Sequence, residues 1–385
     1  MKYNKYLSLI IFTIFISSCI EAKTKQKVEI DKQSETKAKQ ESNFIEKKIT
    51  NNLYVLKSPN YNTNVGVFIG ETSVLLIDPM TGSNNHQNLL NTIEQLSDKP
   101  IKYVLNTHSH GDHSGANKFF SKLGATIISH ENSKYSNAIY DVTFDDTFTL
   151  EMGNETIELI HIKAHTIDDA LIYFTKNNVV FMGDSYMTNT FPHFYYGGGG
   201  SGHVEILDKA LTIGNEKTVF VAGHGNLSSH KEELMTYRQN SITWINKIKE
   251  LYSQEKTIID IVEDSQIKQL STVFNDNQKV PIERFKQTIE KSISSELIVG
   301  IQISKNTLIK YGGRYKYENS KIDEIILLNE KLYLRNNGYM YELVPLSKTK
   351  FHIKGQAPHR QVIFNLDKNE LIYFDGKENR TAKKQ

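Results

Sequence analysis

Thr107-His108-Ser109-His110-Gly111-Asp112-His113 is the stretch that decides how this 385-residue chain is read. It follows directly on an apolar run, residues 101–105, with the length and composition of a strand. Histidines two apart in an extended segment point the same way, so His108 and His110 can grip one ion, and Asp112 and His113 then face a neighbouring position. Imidazole nitrogen and carboxylate oxygen are natural zinc ligands. With 13 histidines and 17 aspartates in the chain, His-x-His-x-Asp-His arises by chance roughly six times in ten thousand. A lone histidine is ordinarily a satisfied polar residue; three with an aspartate in six positions are not explained that way.

Working outward, three more candidates sit just past apolar runs. His165 follows 157–162, Asp184 follows 179–181 within Met182-Gly183-Asp184-Ser185, and His224 follows 219–221 within Ala222-Gly223-His224-Gly225. The ends of strands are where an α/β fold builds its sites, and the glycines allow close approach of backbone. Together with the first stretch they complete two coordination shells. Further strands are expected at 53–56, 65–69, 74–77, 125–129 and 170–174, and helices at 84–96, 114–123, 204–213 and 231–252, the last carrying the single tryptophan, Trp244. Strands mixed with helices make this an α/β layered fold. Residues 253–299 read as a helical connector, with Pro281 in the favoured first-turn position. From 300 to 385 the texture is all-β, with strands expected at 311–315, 325–328, 331–334, 339–344, 351–353, 362–366 and 371–374, as in a small barrel or sandwich.

In order, these segments resemble the five motifs of the metallo-β-lactamase superfamily, the first corresponding to Leu75-Leu76-Ile77-Asp78. The resemblance runs from about residue 53 to 237. It implies an αββα sandwich over 49–252, a first metal on His108, His110 and His165, and a second on Asp112, His113 and His224, with Asp184 bridging both. It implies two zinc ions, with manganese or iron as alternatives, and a hydrolase that makes water reactive toward an amide, ester, lactone or thioester carbonyl, Asp112 orienting that water and sharing in proton transfer. β-Lactam hydrolysis falls within that class. Two departures stand out. The best-known β-lactamase subclass has a cysteine where this chain has Asp184, and often a lysine where it has Met187; the aspartate form is closer to glyoxalase II and lactonases. The C-terminal segment weakly resembles small β-barrel domains appended to bacterial hydrolases, through Tyr311-Gly312-Gly313-Arg314-Tyr315 and Leu343-Val344-Pro345-Leu346.

Two features outside the ligand set keep two readings each. Asp78 is either a group that orients a ligand or a turn aspartate before Pro79. The loop Phe191-Pro192-His193-Phe194-Tyr195-Tyr196 followed by Gly197–Gly200 is either an aromatic wall on a flexible hinge or a surface loop clamped to the core, with His193 exposed.

The N-terminus reads as an address. Lys2 and Lys5 precede an apolar run from 7 to 16, then Ser17, Ser18 and Cys19, the chain's single cysteine. That is the layout of a secretory signal over 1–19, and Ile16-Ser17-Ser18-Cys19 resembles the lipobox of bacterial lipoproteins, which implies a lipid at Cys19 and a place in the cell envelope, outside the cytoplasm. Residues 20–48, with eight lysines and six acids, read as a disordered tether. The remaining body carries a net charge of about −2, which excludes nucleic acid as the main partner and leaves a small-molecule substrate. Two other classes compete with the hydrolase: a lipid-anchored binding protein with a non-catalytic metal site, and an iron-dependent oxidoreductase.

Overall fold

The computed structural model describes residues 44–57, 62–79 and 83–385. The expected signal sequence, Cys19 and all but the last few residues of the expected tether lie outside the described residues. The tether's end does not: Ile45–Lys48 forms strand β1, paired antiparallel with β2 (Leu53–Lys57). The folded body therefore begins ahead of residue 49.

Two sheets face each other. The first has seven strands in sequence order: β1, β2, β3 (Asn64–Ile69), β4 (Val74–Ile77), β5 (Ile101–Leu105), β6 (Thr126–His130) and β7 (Val142–Phe144). The second has five, in the order β12-β11-β10-β9-β8, from β8 (Thr147–Met152), β9 (Glu155–His161), β10 (Ala170–Phe174), β11 (Val179–Phe181) and β12 (Val219–Val221). The alternation of side chains along each strand explains why runs such as Val74–Ile77 are apolar throughout. Leu75 and Ile77 point into the core between the sheets with Leu105, Ile128, Ile172 and Phe181. Val74 and Leu76 point the other way, under α1 (Ser83–Leu96), with Leu89, Ile93 and Phe120. The second sheet does the same: Val179 and Phe181 face the first sheet, while Val180 and Met182 face the helices. Helices thus cover both outer faces, giving the αββα sandwich.

The helix expected over 114–123 is broken into α2 (Gly111–Ser114) and α3 (Asn117–Lys122). Helix α4 (Gly199–Thr212) begins inside the glycine run. A Cβ on Gly197, Gly198 or Gly202 would collide with the backbone carbonyls of Lys163 or Thr166. These glycines let the helix lie against the turn that carries His165; they are close-packing glycines, not a hinge.

α5 (Lys231–Ser253), α6 (Ile258–Glu263), α7 (Ser265–Phe274) and α8 (Ile282–Glu296) share one core with the second sheet: Trp244, Ile248, Phe274, Phe285 and Ile289 pack with Ile206 and Phe220. Trp244 Nε1 donates to Ser292 Oγ at 3.0 Å. The segment after 253 is a packed layer of the sandwich's own body.

A short helix not expected from the sequence, α9 (Lys305–Tyr311), precedes a closed antiparallel barrel of eight strands, β13 (Gly313–Tyr317), β14 (Ile322–Leu328), β15 (Lys331–Asn336), β16 (Tyr339–Pro345), β17 (Lys350–Ile353), β18 (Gln361–Asn365), β19 (Glu370–Phe374) and β20 (Asn379–Lys384), closed by β13 pairing with β20. Tyr311 sits in the lumen with its ring 4.6 Å from Phe364 and plugs one end. The opposite end, ringed by the β13–β14, β15–β16 and β17–β18 connections, is open. Arg335 fastens the barrel to the sandwich, Nε donating to Tyr135 O at 2.6 Å and Nη2 to Ser136 O at 3.2 Å, and Lys163 pairs with Glu342 at 3.3 Å. Among the described residues no helix is long and apolar enough to cross a membrane.

Candidate metal centre

All seven sequence-predicted ligands meet at the C-terminal ends of β5, β9, β11 and β12. Two groups of donor atoms result, each within 4.8 Å: His108, His110, His165 and Asp184, and Asp112, His113, Asp184 and His224. Asp184 belongs to both. Within the first group, His165 Nε2 and His110 Nδ1 lie 3.0 Å apart, and Asp184 Oδ2 is 3.6 Å from His165 Nε2. Within the second, Asp184 Oδ1 is 3.1 Å from His113 Nε2 and 3.2 Å from His224 Nε2, and Asp112 Oδ2 is 3.2 Å from His224 Nε2.

The surroundings aim each donor. Asp78 Oδ2 lies 3.0 Å from His113 Nδ1, and its two oxygens accept from Thr107 N at 2.8 Å and Thr107 Oγ1 at 2.6 Å. Of the two readings of Asp78, the geometry matches the first: it orients the His113 ring, and it does so from a left-handed φ of 49° at the end of β4. His165 Nδ1 donates to the carbonyl of His193 at 2.7 Å, which turns Nε2 inward. The bond comes from the backbone of the aromatic loop, so it could not be read from the His193 side chain. Buried Asp169 holds the His165 turn, accepting from Thr166 N at 3.1 Å, Thr166 Oγ1 at 2.6 Å and Ser185 Oγ at 3.1 Å. Burial pushes its carboxyl up to about 6. Gly183 and Gly223 flank Asp184: a Cβ on Gly183, at φ +51°, would strike Thr107 Oγ1, and one on Gly223 would strike Asp184 Oδ1.

The donor chemistry fits a divalent cation. His108 Nε2 is buried with no hydrogen-bond partner, a condition costly for a polar atom and relieved by a cation. Burial, with the neighbouring imidazoles, holds His108 well below its ordinary value, and burial with His165 takes His110 down to about 4, so both present lone pairs. Burial also lowers His113 and His224, but the carboxylates around them, Asp184 foremost, outweigh it; His113 rises well above the usual range and His224 to about 9. Burial raises Asp184, and the His224 and His113 charges more than reverse it. Protons here hold together a group of carboxylates and imidazoles that a cation would hold in their place.

Residues 59–224 match the family model described as Metallo-beta-lactamase superfamily. That stretch of the chain belongs to the superfamily. The hydroxyacylglutathione hydrolase of Pelagibacter ubique is 30% identical over 161 residues, covering 41% of this chain and 66% of that protein. The type 2 metallo-beta-lactamase of Elizabethkingia meningoseptica is 26% identical over 145 residues, 34% of this chain and 58% of that protein. The chain thus spans somewhat under two thirds of these superfamily members' own lengths. Among solved structures, a metallo-beta-lactamase from Pontibacter korlensis aligns at 18% identity and a TM-score of 0.46 over 51% of this chain and 97% of that one. A metallo-beta-lactamase family protein from Thermus thermophilus aligns at 16% and 0.48 over 60% and 91%.

Sequence reasoning missed what the barrel brings to this superfamily site. The ring of Tyr339, at the tip of the β15–β16 hairpin, lies 4.8 Å from that of His110. Tyr196 stands 6.2 Å from His110 and 5.7 Å from His165. The cleft beside His110 is walled on one side by Ser109 and Lys118 of the sandwich and on the other by Asn337, Gly338 and Tyr339 of the barrel. Tyr339 is separated from the histidines by most of the chain and belongs to no motif.

Proposed function

We propose that this chain is a metal-dependent hydrolase of small molecules that cleaves an amide, ester, lactone or thioester bond at a pair of divalent cations, zinc foremost. The observation that carries this reading is the pair of four-donor groups sharing Asp184. His108, His110 and His165 would hold one ion; Asp112, His113 and His224 would hold the other; Asp184 would touch both. Such a pair, when bound, makes water acidic enough to act as a nucleophile at neutral pH and polarises the carbonyl under attack.

The residues themselves do the rest. Asp112 is the more accessible of the two carboxylates in the set, its side chain 37% accessible against 8% for Asp184. It is therefore the carboxylate that faces incoming water and substrate, placed to accept a hydrogen bond from the water and orient it. Asp78 and the His193 carbonyl keep His113 and His165 in the tautomer that donates outward and leaves Nε2 free. Tyr339 and Tyr196 narrow the opening around His110. The relatives named for hydroxyacylglutathione and for β-lactam hydrolysis support carbonyl substrates in general. An aspartate at 184 in place of a thiolate supports the thioester, ester and lactone side of the range.

The test is turnover of a panel of thioester, lactone, ester and β-lactam probes before and after chelation. Hydrolysis of at least one probe, abolished by chelation, restored by zinc and lowered at least about 100-fold by His110→Ala, is the expected result. Hydrolysis that survives chelation contradicts the reading. We further propose that Cys19 is lipidated and tethers the enzyme in the cell envelope; incorporation of labelled fatty acid that is lost in Cys19→Ser tests this.

A further inference from the structure

The open end of the barrel faces the metal cleft. Around the lumen, strand direction puts residues 317–322, 336–339, 353–361 and 374–380 at this end, and Tyr339 on its rim touches His110. Inside it lies a cavity of about 250 Å³, lined by Arg360, Arg380, Gln356, Tyr341, Tyr373 and Asn337 among others. Asn337 also lines the cleft of His110, and the ring of Tyr341 is 6.1 Å from that of Tyr196, so the two spaces share a wall.

Cations outnumber carboxylates at this wall: Lys321, Arg360 and Arg380 line the cavity with one acid, Asp323. Arg360 makes a single side-chain bond, Nη1 to Gln356 Oε1 at 2.9 Å, and its Nε is buried with no partner. Arg380 lies over the Tyr373 ring at 4.6 Å. Lys291, partly buried on α8, donates to Tyr196 OH at 3.3 Å and lies over the rings of Tyr195 and Tyr196. The charges that act on it are those of Arg360 and Arg284, both cations. Among the described residues no carboxylate comes within ion-pair distance of Lys291, Arg284, Arg360 or Arg380. Two acids are close by; neither pairs with these cations directly, although Asp375, held low first by its backbone bonds, also feels the charges of Arg380 and Arg360. Asp323 accepts from Tyr317 OH at 2.7 Å and from Asn336, and Asp375 accepts from the backbone of Lys377 and Glu378 in its own turn. Cations gathered at a cavity with a buried unpaired guanidinium nitrogen repel one another unless an anion joins them.

We propose that the mouth of the C-terminal barrel is an oxyanion subsite that takes a carboxylate or phosphate of the substrate, with Arg360 as its principal contact and Arg380 and Lys291 supporting it. The position of the scissile bond in this arrangement rests on the hydrolase reading above; the anion site itself does not. A cavity of this size takes a small head group, and a ligand that reaches past Tyr339 and Tyr341 would join the two spaces. The barrel then does more than stabilise the chain: it selects anionic substrates.

The experiment is calorimetric titration of succinate, and separately of inorganic phosphate, into the full-length protein as purified, the Arg360→Gln and Arg360→Lys variants, and His108→Ala. The two anions distinguish carboxylate from phosphate. Saturable binding of at least one anion is expected, weakened tenfold or more in Arg360→Gln, partly regained in Arg360→Lys and retained in His108→Ala, whose metal site is impaired. Melting curves of each variant separate misfolding from loss of the site. Binding unchanged by Arg360→Gln in a folded protein, or binding lost in folded His108→Ala, would place the anion at the metals and overturn the proposal, as would no saturable binding of either anion at millimolar concentration. A protein that binds the anion and hydrolyses no probe would refute the hydrolase reading and leave the subsite standing.

Discussion

Asp78 Oδ2 and His113 Nδ1 lie 3.0 Å apart, both enclosed at the end of β4 and the start of α2. This contact decides which nitrogen of His113 faces the cluster. Asp78→Ala removes the acceptor for His113 and for two donors of Thr107. It should weaken the second metal site by about 10- to 100-fold while the first stays filled, as metal analysis of dialysed protein would show. Equal loss from both sites would mean that Asp78 acts on the fold as a whole.

Tyr339 reaches the same centre from the other end of the chain. It is 43% exposed, and its ring packs against His110. Tyr339→Ala should leave the metal content unchanged and raise KM by about three- to tenfold, the order of one aromatic contact. An unchanged KM across the probe panel would remove the barrel hairpin from the substrate site.

The glycines separate packing from hinge behaviour. Gly198 has an ordinary φ of −79°, yet a Cβ there meets the Lys163 carbonyl. Gly111, in the first turn of α2, has nothing within 4 Å of the same position. Gly198→Ala should cost about 1–3 kcal/mol, seen as a lower Tm, and Gly111→Ala should be neutral or slightly stabilising. A stable Gly198→Ala would show that the 197–202 segment yields easily after all.

Acid should loosen the seam between α8 and the barrel. His352 is fully buried, its Nε2 2.6 Å from Ser294 Oγ, and burial takes its pKa down to about 4. In the unfolded chain the imidazole titrates near 6.5. Above that pH neither state takes up the proton. As the pH falls from about 6.5 to about 4 the unfolded chain binds a proton that the folded one refuses, so stability drops, by up to about 3 kcal/mol. Buried His203, lowered to about 3, adds to the same trend. Denaturant titrations across this range should show the decline, with a shallower slope in His352→Gln; identical slopes would exclude His352 as a source.

Much of the sandwich and the seven donors are legible because the donor segments come just past apolar runs whose ends are buried, as in Val104 and Leu105 before His108 and Val179–Phe181 before Asp184. What escaped depends on partners far away in sequence. Strand β20, Asn379–Lys384, is polar at nearly every position and is a strand because β13 and β19 need closing. Tyr311 looked like a strand residue and ends a helix, because its ring fills the barrel. The glycine run looked mobile because sequence cannot show a carbonyl lying against it. The unpaired cations at the barrel mouth come from α8, the β17–β18 loop and β20, and no local pattern joins them.

The central claim is that two ligand sets sharing Asp184 hold two cations. Anomalous diffraction at the zinc edge from crystals of zinc-loaded protein tests it most directly. The account predicts two peaks flanking the Asp184 carboxylate, one within bonding distance of His108, His110 and His165 and the other of Asp112, His113 and His224, roughly 3.5–4 Å apart. A single peak, or peaks away from Asp184, would contradict it.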